Sequence, residues 1–353
     1  MRKRVMTLMI GLIFVIACNA FSTAPTQTSN LLATLSASTP LSGNPAATAG
    51  VAVTPNSPVF LFTPIPSTLT VSTSSSANQP TGHIVFTCQI FKIQASNQIC
   101  IINTDGTGFR RLTTDDTRQH YYPSLAPDGK SVVYAAFREE NVYEIYEMDI
   151  ASGNVTQVTN RLGILNAPEI SPNGKFIIFK QSSGFNSRNK IWIMDRNGEN
   201  VDNIPRVDGW DPTWSADGRY ILFASDMDGA VQLYTIRVNG GDLHKISNLP
   251  AIRGRSDWSP DGKSIVTYSG EPWKREVYIM NADGTNAHVL SPAGGNSQGP
   301  SYSPDGQWVS FTAYFDNFND ENGCEIYIMR KDGSDLRRLT DNDYCDYQPR
   351  WGP

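Results

Sequence analysis

The sequence is poor in the residues that most often build metal and catalytic centres. It contains four histidines and five cysteines among 353 residues, and the histidines, His83, His120, His244 and His288, are widely dispersed. A three-histidine metal site needs a clustered set, so neither a metal nor a cofactor is expected. No basic stripe is present, and 34 Asp and Glu outnumber 29 Lys and Arg, which argues against a nucleic-acid partner.

Charge is missing altogether from one long stretch of the chain. No Asp, Glu, Lys or Arg occurs from Asn19 to Thr81, where Ser, Thr, Pro and Ala dominate. Such a composition buries too little apolar surface to offset the entropy of ordering. We therefore expect residues 19–81 to form a disordered tether.

The first 18 residues have the features of an export signal. Arg2, Lys3 and Arg4 precede an uncharged apolar stretch from Val5 to Ala17, which is too short to span a bilayer comfortably. The stretch ends in Val-Ile-Ala-Cys18, which resembles a bacterial lipobox. The resemblance implies that Cys18 is acylated and anchors the protein to the cell membrane or envelope on its extracytoplasmic side. An ordinary signal peptide that happens to end near Cys18 is the alternative.

Beyond the tether, one phrase recurs at intervals of about 44 residues, a period typical of repeat architectures. A single unit of this size cannot bury its own apolar faces, so the copies must pack together. The copies read ProSerLeuAlaProAspGly, ProGluIleSerProAsnGly, ProThrTrpSerAlaAspGly, SerAspTrpSerProAspGly and ProSerTyrSerProAspGly, and they begin at Pro123, Pro168, Pro212, Ser256 and Pro300. A truncated sixth copy, ProArgTrpGlyPro, begins at Pro349.

Each repeat predicts one four-stranded blade. A β-rich run such as Tyr220-Ile-Leu-Phe follows the Asp-Gly turn, a second run such as Glu325-Ile-Tyr-Ile-Met ends in another Asp-Gly or Asn-Gly turn, and a polar outer strand closes the unit. The stretch from Gly82 begins at a second strand and lacks an innermost one. The copy at Pro349 supplies it, so residues 82–353 are predicted to form an all-β, six-bladed propeller closed by the C-terminal strand.

The succession of PxWSPDG, IxF, IYxMxxDG and a terminal Leu-Thr resembles the WD40-like repeat of TolB-type β-propellers. The resemblance covers Gly82 to Pro353. It implies a propeller fold. Proteins of this type carry a separate α/β domain ahead of the propeller, where this chain has its uncharged segment instead, so their role in an envelope complex does not transfer to this chain.

The four cysteines beyond Cys18 are an even number in a chain with an export signal, which favours disulfides. Strand order places all four at the rim that bears the variable loops, near the closure of the ring. Pairing Cys88 with Cys100 and Cys324 with Cys345 would join neighbouring strand ends, and free buried thiols are the alternative.

Residues just before each innermost strand are expected to surround the mouth of the central channel on the loop-bearing face. Aromatic and charged side chains of this kind suit capture of a peptide, a glycan or a protein loop, although ordinary solvation and packing explain them as well. The candidates are His120, Tyr121, Tyr122, Asn166, Trp210, Asp211, Arg253, Arg255, Asp346 and Tyr347.

One catalytic motif and one metal-binding motif can be set aside. Gly295 to Gly299 fits the GxSxG elbow of serine hydrolases, but all four histidines precede Ser297, whereas the elbow needs a histidine later in the chain. The Asp-Gly turns lack the spacing of a calcium loop.

We therefore expect a membrane-tethered, non-catalytic binding or scaffold module for a protein or an envelope polymer. The competing hypothesis is a glycan-degrading hydrolase or lyase using Asp211, Asp257 and Asp346.

Overall fold

The computed structural model describes residues 79–90, 96–184, 187–315, 323–342 and 345–353. The predicted leader, the acylation at Cys18 and nearly all of the predicted tether lie outside these residues. The described residues belong to one compact unit, Ser74–Pro353. They form strands, turns and loops, and among them there is no helix that could cross a membrane.

The described residues contain twenty-four strands, β1 to β24, which group into six antiparallel blades of four, as the repeats predict. Blade 1 contains β24 (Asp346–Gly352), β1 (His83–Gln89), β2 (Asn97–Asn103) and β3 (Arg110–Arg111). Blade 2 contains β4 (His120–Leu125), β5 (Ser131–Glu139), β6 (Val142–Asp149) and β7 (Val155–Gln157). Blade 3 contains β8 (Ile164–Ile170), β9 (Phe176–Ser182), β10 (Lys190–Asp195) and β11 (Asp202–Asp208).

Blade 4 contains β12 (Trp210–Trp214), β13 (Tyr220–Ser225), β14 (Gln232–Arg237) and β15 (His244–Lys245). Blade 5 contains β16 (Asp257–Trp258), β17 (Ser264–Ser269), β18 (Glu276–Asn281) and β19 (His288–Val289). Blade 6 contains β20 (Gln298–Tyr302), β21 (Trp308–Ala313), β22 (Glu325–Arg330) and β23 (Arg337–Arg338). One parallel bridge, Tyr143 to Ile164, also joins blades 2 and 3.

The C-terminal strand closes the ring, as the orphan sixth phrase predicts. β24 pairs antiparallel with β1, placing His83 opposite Gly352 and Cys88 opposite Asp346. Trp351 is buried in the apolar cluster shared by blades 1 and 6, and its indole Nε1 donates a hydrogen bond to the Thr81 carbonyl at 2.8 Å. We call this junction of β24 with β1 the seam.

Strand direction gives the propeller two different faces. The turn face carries the tight turns between first and second strands and between third and fourth strands, such as Asp261-Gly262 and Asp283-Gly284. The loop face carries the remaining hairpin loops and the connections between blades. The chain enters β1 from the turn face, and the innermost strands begin at the loop face.

Two disulfides lie beside the seam at the loop face. Cys88 is joined to Cys100 and Cys324 to Cys345, with Cα–Cα distances of 5.8 and 4.5 Å. These are the pairs that strand order predicts. The Asp346 amide donates to the Cys324 carbonyl at 2.8 Å, so the second disulfide and this hydrogen bond together hold the beginning of β24 against blade 6.

In every blade one residue in the left-handed region lies immediately before the repeated phrase, within the innermost strand or, in blade 5, just ahead of it. In five blades the next residue is proline, which has no N–H to donate, so a bulge there sacrifices no ladder hydrogen bond. Blade 5 has Ser256 in that place, and its β16 is only two residues long. The six left-handed residues are Tyr122, Ala167, Asp211, Arg255, Gly299 and Gln348, with φ between 24° and 58°.

Candidate functional site

The bulges set the chemistry of the central channel because they fix two layers of residues, with one residue from each blade in each layer. The upper layer, nearer the loop face, consists of the six left-handed residues. The lower layer lies two residues further along each strand and consists of Ser124, Glu169, Thr213, Asp257, Ser301 and Arg350. Three members of the lower layer are charged, and they come from alternate blades.

Arg350 joins these alternate blades at the centre of the lower layer. Its guanidinium lies 3.2 Å from the Glu169 carboxylate of blade 3 and 3.4 Å from the Asp257 carboxylate of blade 5. Burial alone would lower the pKa of Arg350, but the two carboxylates outweigh it, and the pKa lies above its ordinary value. Burial raises the pKa of Glu169, an effect that Arg350 opposes. The three groups stabilise one another in place of water.

Arg255 spans the upper layer. Its Nη2 donates to the carbonyl of Pro123 at 3.3 Å and to that of Gln348 at 3.2 Å, and its guanidinium lies 5.4 Å from the centre of the Tyr122 ring. Burial and the neighbouring Arg350 lower the pKa of Arg255 to about 10, so it stays charged at neutral pH. The Asp211 carboxylate accepts the Arg255 backbone N–H at 3.0 Å.

The two arginines leave little open space between the blades. The cavity beside them, lined by Ala167, Pro168, Glu169, Asp211, Pro212, Arg255 and Arg350, has a volume of about 10 Å³, room for roughly one water molecule. A substrate or an organic cofactor is far larger than this. The channel centre is therefore a packed, charged floor, and this pocket has no room for a larger ligand.

Above this floor, Asn97 holds two tyrosines of the rim. Its side-chain amide donates to the Tyr121 hydroxyl at 3.0 Å, and its Oδ1 accepts the Tyr347 hydroxyl at 2.7 Å. The same amide donates to Gln119 at 2.7 Å. Asn97 is 3% exposed, so these bonds are shielded from water. Tyr121 belongs to blade 2 and Tyr347 to the closing strand, so this network connects the rim across the seam.

Further aromatic contacts extend the rim. The ring centres of Tyr121 and Tyr143 are 6.3 Å apart, and those of Phe137 and Tyr143 are 5.4 Å apart. On the blade 4 side, the Trp210 indole donates to the Arg253 carbonyl at 3.2 Å. Burial raises the pKa of Tyr121, which keeps its hydroxyl protonated. Ordered aromatic side chains with a polar end are typical of protein-binding surfaces.

The ten predicted mouth residues divide into two groups. Three are buried: His120, Arg255 and Asp346. The other seven are partly exposed, and they are Tyr121, Tyr122, Asn166, Trp210, Asp211, Arg253 and Tyr347. A role of these residues in ligand binding remains a prediction.

Asp346 is separated by its contacts from the acidic residues with which it was grouped. Its carboxylate accepts a hydrogen bond from the Asn342 side chain at 2.8 Å, whereas Asp211 and Asp257 are bound to Arg255 and Arg350. Burial is the main cause that raises the pKa of Asp346 to about 8. Asp211, Asp257 and Asp346, the carboxylates of the glycan-degradation hypothesis, therefore do not share one set of binding partners.

His120, one of the predicted mouth residues, is also buried, and so is Ser297 of the Gly295–Gly299 motif. Burial lowers the pKa of His120 to about 4, so the ring is neutral at physiological pH. Ser297 lies between the blades, with its amide bonded to the Arg275 carbonyl at 2.8 Å, and the described residues provide no helix for an elbow. Across the described ranges, no three His, Cys, Asp or Glu residues are placed to hold a metal ion.

Three residues of the site, Glu169, Arg350 and Asn97, were not among those predicted from the sequence. A signal for the first two was present, because Glu169, Asp257 and Arg350 occupy the same position of the repeated phrase, where the other copies carry Ser or Thr. Equivalent positions of the repeats face the same channel in a closed ring, so opposite charges at these positions are expected to meet at its centre. Asn97 has no such signal, since its partners Tyr121 and Tyr347 come from distant parts of the chain.

Comparisons with known proteins agree with this architecture. The family model described as the TolB beta propeller domain matches residues 74–317. A protein of Agrobacterium fabrum is 32% identical over 154 residues, which is 40% of this chain and 50% of the relative. The Tol-Pal system protein TolB of Francisella tularensis is 30% identical over 118 residues, which is 33% of this chain and 27% of the relative.

Among solved structures, TolB from Acinetobacter baumannii superimposes with a TM-score of 0.67 at 25% identity, covering 77% of this chain and 67% of that one. The chain spans half or less of the length of the curated relatives described above.

Proposed function

Because this chain belongs to the TolB β-propeller domain family, we propose that it is a non-catalytic binding or scaffold module of the cell envelope, anchored through Cys18, that holds a partner protein on its loop face. An envelope polymer is the other ligand class that fits such a face. The Asn97 network carries the proposal, because it fixes two tyrosines of the rim in one arrangement before any partner arrives.

Three further observations support binding rather than catalysis. The channel floor is filled by Arg255 and Arg350, and the carboxylates that could act on a substrate are already bound to these arginines or to neighbouring amides. Tyr, Trp and Arg side chains dominate the rim, and these residues contribute most binding energy at protein interfaces. Relatives of this chain include proteins of the Tol-Pal system.

Extracytoplasmic placement is supported by the two disulfides, which persist in oxidising compartments. Anchoring rests on the basic, apolar and small-residue segments that end at Cys18. Incorporation of labelled palmitate that is lost in Cys18→Ala would support the anchor. Incorporation that survives the substitution would contradict it.

The binding proposal is tested by cross-linking the full chain in intact cells and identifying the protein recovered in stoichiometric amount. Affinity of that protein for the chain is then compared between wild type, Asn97→Ala and the control His244→Ala, whose residue is exposed on an outer strand. We expect Asn97→Ala to weaken binding about tenfold or more, since the two rim hydroxyls lose their common partner. Unchanged affinity in a folded Asn97→Ala protein would place the binding surface elsewhere.

A glycan-degrading activity remains the second candidate because burial raises the pKa of Asp211 and of Asp346, and raised carboxyl pKa values are common in active sites. Turnover of a polysaccharide that Asp211→Asn abolishes would establish this class and refute a purely binding role. Absence of turnover across acidic and neutral envelope glycans would leave binding as the function.

A further inference from the structure

One of the two disulfides joins parts of the chain that no strand pairing holds together. Among the described strands β24 pairs with β1 and with no other, whereas Cys345, just before β24, is bonded to Cys324 of blade 6. The other disulfide links Cys88 and Cys100 within a hairpin whose two strands pair along their whole length. Cleavage of Cys324–Cys345 therefore removes a link between blade 6 and the closing strand, whereas cleavage of Cys88–Cys100 separates no elements.

The two disulfides also differ in their access to solvent. Of the four cysteines in the described residues, Cys88, Cys100 and Cys324 are buried, and Cys345 is partly exposed. Thiol–disulfide exchange begins when a thiolate attacks a sulfur that it can reach, so the disulfide of Cys345 is the one open to attack in the folded protein. The Tyr314 hydroxyl lies 3.9 Å from Cys345 Sγ and can donate to a thiolate formed there.

Apart from the disulfide, individual hydrogen bonds hold the beginning of β24. The Asp346 amide donates to the Cys324 carbonyl at 2.8 Å, and the Gln89 amide donates to the Cys345 carbonyl at 3.0 Å. A register shift separates this end of the β1–β24 pairing from the rest of the strand. Local opening requires only a few such bonds to break, so this end can open while the remainder of β24 stays paired.

The Asp346 carboxyl favours opening once the disulfide is gone. It is 1% exposed, and burial, together with the neighbouring Glu325 carboxylate, raises its pKa to about 8. In water the pKa of such a group is about 3.9, so at neutral pH it is protonated in the closed state and ionised in an opened one. Opening therefore releases a proton, and rising pH favours it. The charged groups around Asp346 are Glu325 of β22, Arg338 of β23, which is paired with Glu325, and Asp341, which is also paired with Arg338.

From these observations we propose that Cys324–Cys345 is a redox-sensitive closure of the seam, which a dithiol opens by attack on Cys345. Reduction frees the beginning of β24, and ionisation of Asp346 then keeps it open. The Tyr347 hydroxyl, which meets Asn97 Oδ1 at 2.7 Å in the oxidised protein, is withdrawn from the rim. This inference goes beyond the proposed function, and its test needs no binding partner, so the two stand or fail separately.

The reduction proceeds in two exchanges. One thiolate of the dithiol bonds to Cys345 Sγ, and the electron pair of the broken S–S bond passes to Cys324 Sγ, which takes up a proton. The second thiolate then attacks the reductant's own sulfur in this mixed disulfide and expels Cys345 as a thiolate, which takes up another proton. The dithiol is oxidised to a cyclic disulfide, and the protein gains the two electrons and two protons that the dithiol loses.

The first measurement compares the two disulfides within one molecule. The full chain, purified under non-reducing conditions, is treated with dithiothreitol at pH 7, and the thiols are trapped by alkylation and quantified by mass spectrometry. We expect Cys324 and Cys345 to be alkylated at least about tenfold faster than Cys88 and Cys100. Equal rates for the two pairs would overturn the proposal.

Hydrogen exchange then measures whether the closing strand opens. After selective reduction, the amides of Asp346 and Tyr347 should exchange at least about tenfold faster, and those of residues 99–103 in β2 should not change. The variant Cys324→Ser/Cys345→Ser should reproduce this loss of protection without a reductant, whereas the matched control Cys88→Ser/Cys100→Ser should keep the beginning of β24 protected. Unchanged exchange at Asp346 and Tyr347 after cleavage would overturn the proposal.

The pH dependence of opening isolates the part played by Asp346. In the reduced protein, opening at this residue should rise about tenfold from pH 6 to pH 7, after correction for the intrinsic exchange rate. Asp346→Asn should abolish the rise. Asp242→Asn, which removes a carboxyl whose pKa is already about 2 in the folded protein, should retain it. Opening that does not change with pH in the reduced wild type would refute the proposed role of Asp346.

Discussion

The guanidinium of Arg350 lies 3.2 Å from the carboxylate of Glu169, although the two residues belong to the first and third blades. Asp257 of blade 5 approaches the same guanidinium to 3.4 Å, so a single side chain links three alternate blades. Neighbouring blades are held together by apolar packing. This charged centre adds contacts between blades that do not touch through their sheets.

Replacing Arg350 by Met is expected to lower the free energy of unfolding by about 3 to 5 kcal/mol, because Glu169 and Asp257 would remain buried without a cation. Urea denaturation followed by circular dichroism measures the change. Arg219→Met, at an exposed turn position, is the matched control and should change stability by less than about 0.5 kcal/mol. A loss of that small size in Arg350→Met would show that the centre contributes nothing to stability.

Stability is expected to fall as the pH rises from about 4 to about 8, owing to Asp346. Its pKa is near 8 in the folded protein and about 3.9 in the unfolded chain, so between these values only the folded state holds the proton. The contribution of this group reaches at most about 1.4 kcal/mol per pH unit, and Asp346→Asn should remove it.

Asp242 supplies the control for this pH dependence. Hydrogen bonds from Tyr220, His244 and Arg237 lower its pKa to about 2, so its contribution is lost only as the pH falls through that value. Asp242→Asn should leave the slope between pH 5 and pH 8 unchanged. Equal slopes in wild type and Asp346→Asn would contradict a protonated Asp346.

Removal of the Cys324–Cys345 disulfide by a double Ala substitution should destabilise the propeller by about 3 kcal/mol, since the 21-residue separation sets the chain entropy that the cross-link removes. Thermal melting under non-reducing conditions measures the effect, and peptide mapping verifies both linkages. Because the Cys88–Cys100 separation is 12, its removal is expected to cost slightly less. A fully reduced protein with an unchanged melting temperature would refute the stabilising role.

Two turn glycines are expected to respond differently to alanine. Gly262 and Gly284 both have positive φ, 68° and 84°, but a Cβ at Gly262 would meet open space, whereas at Gly284 it would collide with the Ile246 carbonyl of blade 4. Gly262→Ala should cost about 1 kcal/mol from backbone strain alone, and Gly284→Ala should cost more by at least about 1 kcal/mol. Chemical denaturation of the two variants measures the loss of unfolding free energy in each. Equal losses would contradict the collision.

Much of the fold could be predicted from the sequence because its information is local and repeated. Short runs of β-branched and aromatic residues, such as the one in Glu325–Arg330, together with Asp-Gly turns, indicate strands and their ends. The missing first strand matches the orphan phrase at Pro349. The disulfide pairs follow from the same strand order. The TolB-type resemblance rests on these repeats, and the family match confirms it.

The channel could not be predicted to the same degree, because its contacts depend on backbone bulges. Arg255 was expected at the mouth of the channel, but its bulge position carries the guanidinium across to Pro123, a residue 132 positions away. Asp346 was grouped with Asp211 although it bonds to Asn342. No local pattern reports such side-chain directions, since they depend on blades that meet only when the ring is closed.

The pairing of β24 with β1 also has a consequence for biosynthesis. Blade 1 lacks its innermost strand until residues 346–352 have left the ribosome, so the earlier part of the chain cannot complete its ring while it is being made. The other five blades each take their four strands from one continuous stretch of chain. Closure of the ring is therefore the step that waits for the last strand.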